Sequence, residues 1–133
     1  MKLKKVKASK VNQVLRCTVH KTGKLGFTRD AADFLELDSS SSLEVLINEE
    51  DKHDNNLYVL IHKDNDDVDN FKVSKAGDYY YVNLKSFYEI NDIDYKSNNV
   101  SYNIRCKNID GKDFIVFMRR SNEVDEAEDM TEN

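Results

Sequence analysis

Apolar and polar residues alternate through most of this chain. Leu15, Cys17 and Val19 fall on every second position of residues 13–20, the period of a strand with one buried face. Lys21-Thr22-Gly23-Lys24 interrupts the alternation as a tight turn, with glycine where a positive φ is needed. Leu25 and Phe27 then resume it on a returning strand. At Ala31, Phe34 and Leu35 the spacing becomes helical, which predicts a short helix through Leu37 with Thr28 as its cap and those three residues as its core face. Such a helix holds only if other elements pack on it. Asp38-Ser39-Ser40-Ser41-Ser42 is a loop, because hydroxyl side chains compete for backbone hydrogen bonds. Residues 43–48 and 57–62 alternate again and predict a second hairpin around a polar loop at 49–56.

The whole order then returns. Val19/Val73, Lys21/Lys75 and Gly23/Gly77 align, and the late strands pair Leu43, Val45 and Ile47 with Val100, Tyr102 and Ile104. The second copy reads as a strand at 71–74, a turn at 75–78, a strand at 79–82, a helix capped by Asn83 to about Ile90, and strands at 100–107 and 114–119. A period of about 50 residues marks two copies of one unit, each too small to bury its own apolar face. The chain therefore divides into a basic leader (1–12), a first ββαββ repeat (13–63), an acidic linker (64–70), a second ββαββ repeat (71–120) and a disordered acidic tail (121–133). The predicted class is mainly β with two short helices, the two repeats interleaved into one pseudo-twofold barrel that covers their open faces and edges.

Charge changes the picture more than composition does. The net charge is −5, yet residues 1–29 carry nine Lys or Arg and no acid, while residues 121–133 carry six acids and no base. An acidic mean can hide a basic working face, although leader lysines are also compatible with a simple solvated terminus. No apolar run reaches the roughly 18 residues of a membrane span, and no signal segment follows the first lysines, so the expectation is a soluble cytoplasmic protein. Cys17 and Cys106 stand alone, without metal or disulfide spacing, and read as buried or half-buried side chains.

Val19-x-Lys21-x-Gly23-Lys24-Leu25-x-Phe27, a helix ending Phe34-Leu35-Glu36-Leu37, and the runs Leu43-Glu44-Val45 and Leu57-Tyr58-Val59 resemble the AbrB/MazE/MraZ swapped-hairpin family. The resemblance implies two tandem copies forming a swapped-hairpin barrel in one chain, and a DNA-binding, transcription-regulating role. Carried over position by position, it assigns Lys21, Lys24, Arg29 and Lys75 to DNA. The departures are the absence of any proline, with Thr28 and Val82 at the corresponding places, and Asp78 and Asn83 where the second copy would repeat Lys24 and Arg29.

Chemistry narrows the reading further. Lysines along a backbone release counterions, and arginine and asparagine reach guanine and adenine edges, which suits Arg29 and Asn83. Alternation sends Tyr79 and Tyr81 inward and leaves only Tyr80 outside, a poor stacking platform for single strands. The loop Glu49-Glu50-Asp51-Lys52-His53-Asp54 fits neither a calcium nor a zinc spacing. No phosphate-cradling glycine loop or nucleophile motif is present, so neither an enzyme nor a cofactor or metal is expected. The leading expectation is binding to double-stranded DNA. The alternative is an antitoxin-like interaction barrel that has lost DNA binding, its acidic tail at 123–132 docking on a basic protein partner. Homo-oligomers are compatible with either, and a membrane with neither. Lys21, Lys24 and Arg29 on one continuous face would favour DNA; interruption by Asp30, Asp33 and Asp78 would favour a protein.

Overall fold

The computed structural model describes residues 1–121. Among the described residues nine strands form one antiparallel sheet: β1 (Arg16–Val19), β2 (Lys24–Phe27), β3 (Ser42–Leu46), β4 (Leu57–His62), β5 (Phe71–Lys72), β6 (Ser74–Ala76), β7 (Tyr79–Asn83), β8 (Ser101–Ile109) and β9 (Lys112–Arg119). Three short helices accompany them, α1 (Ala8–Val11), α2 (Arg29–Phe34) and α3 (Lys85–Ile90). The strand order is β5-β3-β4-β9-β8-β1-β2-β7-β6. Its two ends are consecutive in the chain, separated only by Val73, so residues 71–76 pair with β3 on one side and β7 on the other. That bridge brings the sheet round into a nearly closed barrel and leaves little free edge.

The repeats interleave as predicted. Each makes its own hairpins, β1 with β2 and β3 with β4 in the first, β6 with β7 and β8 with β9 in the second. All remaining pairings cross between repeats: β1 with β8, β3 with β5, β2 with β7 and β4 with β9. Exchanging the two repeats carries the first two of these into one another and the last two into themselves, which defines the pseudo-twofold axis. Leu25 and Val82, partners at the centre of β2 and β7, are both fully buried. Leu43, Val59, Val100, Ile104 and Phe117 complete the same core from both repeats.

Helices α2 and α3 end alike. Glu36 and Asp92 both have φ 53°. The following residues close the same bond, Leu37 N–H to Ala32 O at 3.0 Å and Ile93 N–H to Tyr88 O at 2.9 Å. This is a Schellman ending, built here without the glycine that favours it. At the helix starts Thr28 accepts the Ala31 N–H as expected, whereas Asn83 accepts the Lys85 N–H from one residue outside the N-cap, Leu84.

Several expectations need correction. Phe34 is 42% exposed; the helix stops there, and Ala31, Ala32, Leu35 and Leu37 take the buried positions. The late strands align two residues away from the expected register, because Cys17 faces Tyr102 while its counterpart Phe71 faces Leu43. A two-residue slip keeps the buried face, so the alternation gives no sign of it. The first strand starts at Arg16, and the last hairpin runs to the turn Asp110-Gly111, whose φ values of 52° and 85° suit a two-residue hairpin loop. Cys106 is exposed rather than half-buried, and the leader contains the single turn α1. The acidic tail expected at 121–133 lies, beyond Ser121, outside the described residues.

Candidate nucleic-acid interface

The two early hairpins differ by one residue at their turns. In the first, His20 N–H donates to Lys24 O at 2.8 Å and leaves the three-residue loop 21–23, with Gly23 at φ 87°. In the second, Ala76 faces Tyr79 and only Gly77 and Asp78 remain, with Gly77 at φ 60°. Counted from the aligned glycines, the returning strands are one residue out of step, and such a slip turns every side chain to the opposite face. Leu25 and Phe27 point inward, but in β7 the inward residues are Tyr80 and Val82. The expected burial of Tyr79 and Tyr81 is therefore reversed. Tyr79 is 38% exposed, and Tyr81 shares the outer face with it.

The first turn is seated on the second repeat. Leu84 N–H donates to Gly23 O at 3.0 Å. A Cβ at Gly23 would stand 2.5 Å from the Cβ of Lys85 and 2.7 Å from its Cα, so both the positive φ and the close approach require glycine. The seat gathers Lys21, Lys24 and Lys85, all exposed, around one end of β2 and β7. Asn83, also exposed, is the strand partner of Lys24. The Lys24 ammonium lies 4.8 Å above the Tyr81 ring, a cation–π contact that holds the charge over the sheet.

Arg29 and Lys75 lie elsewhere. Arg29 follows β2 at the end remote from the turn, and five residues of extended chain separate it from Lys24 by about 17 Å. The antiparallel register of β2 and β7 puts Tyr79 toward this same end, with Asp78 before it in the chain. Lys75 is next to this second turn, its ammonium 5.4 Å above the Tyr80 ring. No heavy atom lies within 4 Å of a Cβ built on Gly77, so the second turn has no seat like the first. The barrel thus carries a basic pole with Lys21, Lys24 and Lys85, and a mixed pole with Arg29, Lys75 and Asp78. The four residues assigned from the sequence are divided between the two ends of β2, Lys21 and Lys24 at one and Arg29 at the other, with Lys75 beside the second turn. Of the neighbouring acids, Asp30 is engaged by the Val14 N–H at 2.9 Å, and Asp33 is exposed.

Lys85 escapes the sequence reading because that alignment sets Asn83 opposite Arg29. The shared helix endings show the true correspondence: Arg29 opens α2 as Lys85 opens α3. Counting back from Glu36 and Asp92 finds it, but neither position carries the glycine that would mark a helix end in the sequence.

Between the poles lies a strip of aromatic groups. The Tyr79 hydroxyl crosses over Gly26 and hydrogen-bonds His20 Nε2, the two rings meeting edge-on with centroids 5.7 Å apart. Any side chain at Gly26 would displace that hydroxyl. Burial, then the nearby Cys17, pushes the Tyr79 phenol above its ordinary pKa.

Elsewhere the chemistry is self-contained. In the acidic loop Asp54 accepts from Tyr58 at 2.5 Å and from Asn48 at 3.1 Å, and Asp51 accepts the His53 N–H at 2.9 Å. Among the described residues no group of three or more His, Cys, Asp or Glu is placed to hold a metal ion, and no helix is long and apolar enough to cross a membrane. The Cys17 thiol is buried, which raises its pKa and keeps it unreactive. No family model, no curated protein and no solved structure matches this chain.

Proposed function

We propose that this chain is a DNA-binding, transcription-regulator-like module of the AbrB/MazE/MraZ swapped-hairpin type, whose basic pole takes the phosphates of a duplex. The observation that supports it is the seat of Gly23 on Lys85, which collects Lys21, Lys24 and Lys85 from two repeats into one cationic patch. Three neighbouring cations suit a curved line of phosphates, and Asn83 beside them offers a donor and an acceptor to a base edge. The mixed pole lacks such a patch, so the reading is of asymmetric contact, through one pole, rather than symmetric contact with two equal half-sites.

The test is binding of the full chain to a mixed-sequence duplex library at low and moderate salt. Affinity is expected to fall steeply with salt, and Lys24→Glu with Lys85→Glu to lower it at least tenfold and flatten the salt slope by roughly 0.9 for each phosphate no longer neutralised. Arg29→Glu with Lys75→Glu should matter much less. Equal effects of the two pairs would remove the single-pole reading, and no binding by the wild-type chain would remove DNA.

One observation favours a second reading, a protein-interaction barrel. A 560 Å³ apolar groove between the end of α2 and strands β4, β8 and β9 is lined by Phe34, Leu60, Cys106 and Phe114. The acidic segment 123–132 that this reading would also use lies outside the described residues.

A further inference from the structure

The outer row of β7 offers the chemistry that single strands require. Tyr79, Tyr81 and Asn83 occupy successive outward positions on this strand, with His20 and Lys24 beside them from the first hairpin. Glycine at position 26 lets the Tyr79 side chain lie across β2 to His20, since a larger residue there would meet the Tyr79 hydroxyl. Alternate residues of a strand are about 6.8 Å apart, roughly twice the 3.4 Å rise per base of stacked DNA. Bases in a duplex are too closely spaced to meet both rings, whereas unstacked bases of an extended single strand are not. The cations fit the same ligand. Lys24 is both above the Tyr81 ring and part of the basic pole, so a strand that draws its ammonium onto a phosphate uncovers that ring for a base. Asp78, beside Tyr79, repels phosphate at the far end and so fixes the backbone to the Lys85 side.

We propose that Tyr79 and Tyr81, with His20 at their edge and Lys24 and Lys85 at their head, form a stacking site for single-stranded DNA. It deepens the DNA reading, because it shares Lys24 and Lys85 with the duplex contact. Two rings take two successive bases without reading their identity, since every base presents a π-face. The surface would therefore favour a duplex that is locally opened or ends in an overhang over one that is fully paired.

The test compares a labelled 12-nucleotide oligothymidine strand with a blunt duplex of equal length, by fluorescence anisotropy with the full chain. Tyr79→Ala with Tyr81→Ala should weaken oligothymidine binding by at least tenfold, since removing one stacked base costs about tenfold. It should weaken duplex binding less, by no more than about fivefold, the cost of releasing Lys24 from the Tyr81 ring. Tyr79→Phe with Tyr81→Phe keeps the rings and should restore single-strand binding, which a loss of folding or of the His20 hydrogen bond would not do. Oligothymidine binding that is absent, or unchanged by the alanine pair, overturns the stacking site. Duplex binding that is absent while tyrosine-dependent oligothymidine binding persists overturns the duplex reading alone.

Discussion

The two repeats agree at their helix ends and disagree at their first turns. Glu36 and Asp92 share a φ of 53°, and after each comes a loop organised by an aspartate. Asp38 accepts the N–H of Ser40 at 2.8 Å, while Asp94 accepts those of Lys96 and Ser97 at 3.1 and 3.0 Å. Gly23 and Gly77, by contrast, align in sequence yet occupy a seated three-residue loop and an open two-residue loop. The helix ends must coincide because both feed the shared core, where Leu37 and Ile93 follow them inward. The turns lie outside that core, and there one residue of difference redirects β7 and makes one pole unlike the other.

The largest expected effect separates the two glycines. Gly23→Ala meets both a left-handed φ and the Lys85 backbone, and should cost about 3 kcal/mol in urea-unfolding free energy. Gly77→Ala meets only the φ and should cost about 1 kcal/mol. Equal losses would show that the seat on Lys85 contributes nothing. A smaller effect probes the matching ends: Glu36→Gly and Asp92→Gly should each stabilise the protein by about 0.5 kcal/mol, relief of the left-handed backbone being partly offset by a more flexible unfolded chain. If only one of the pair gains, the helix ends are less alike than their geometry.

The smallest effect concerns the aspartates. Asp38 is held below the ordinary carboxylate range by the Ser40 hydroxyl and then the Ser40 N–H, and Asp94 by the Ser97 N–H. A folded pKa below the unfolded one means that the stabilisation is complete above about pH 4 and fades as pH falls through the folded value. The gap in thermal midpoint between wild type and Asp38→Asn, or Asp94→Asn, should therefore be similar for both, present at pH 6 and narrowed at pH 3. A gap that does not move with pH would show that the carboxylate charge is not what orders these loops.

Much of the barrel was legible because alternation is a direct imprint of a half-buried strand. Val19, Leu25 and Val59 announce their faces, and Thr28 announces its cap through the geometry of its side chain. Turn length is written less clearly. Lys-x-Gly occurs in both copies, but whether the glycine ends a three-residue loop or opens a two-residue one depends on pairing across the hairpin. The inversion of Tyr79 and Tyr81 follows from that alone, and with it the aromatic strip. Lys85 is hidden for another reason: it meets Gly23 only through pairing between repeats, a relation that no local pattern records. Phe34 misleads because α2 ends there and Glu36 reverses the backbone, so that Leu35 and Leu37 rather than Phe34 turn into the core.

The bridge at residues 71–76 has a consequence for how the chain reaches this state. β1 finds its second neighbour in β8, some 85 residues later, and β3 is enclosed only when the start of the second repeat arrives. Neither half can complete its ladder while the other is unmade, so closure rests on contacts far apart in the chain, the kind that slows folding. Residues 71–76, joined to both repeats at once, act as the latch of that closure: until they dock, the edges of β3 and β7 are free to pair with another chain, and a crowded solution of half-closed molecules would exchange hairpins between them.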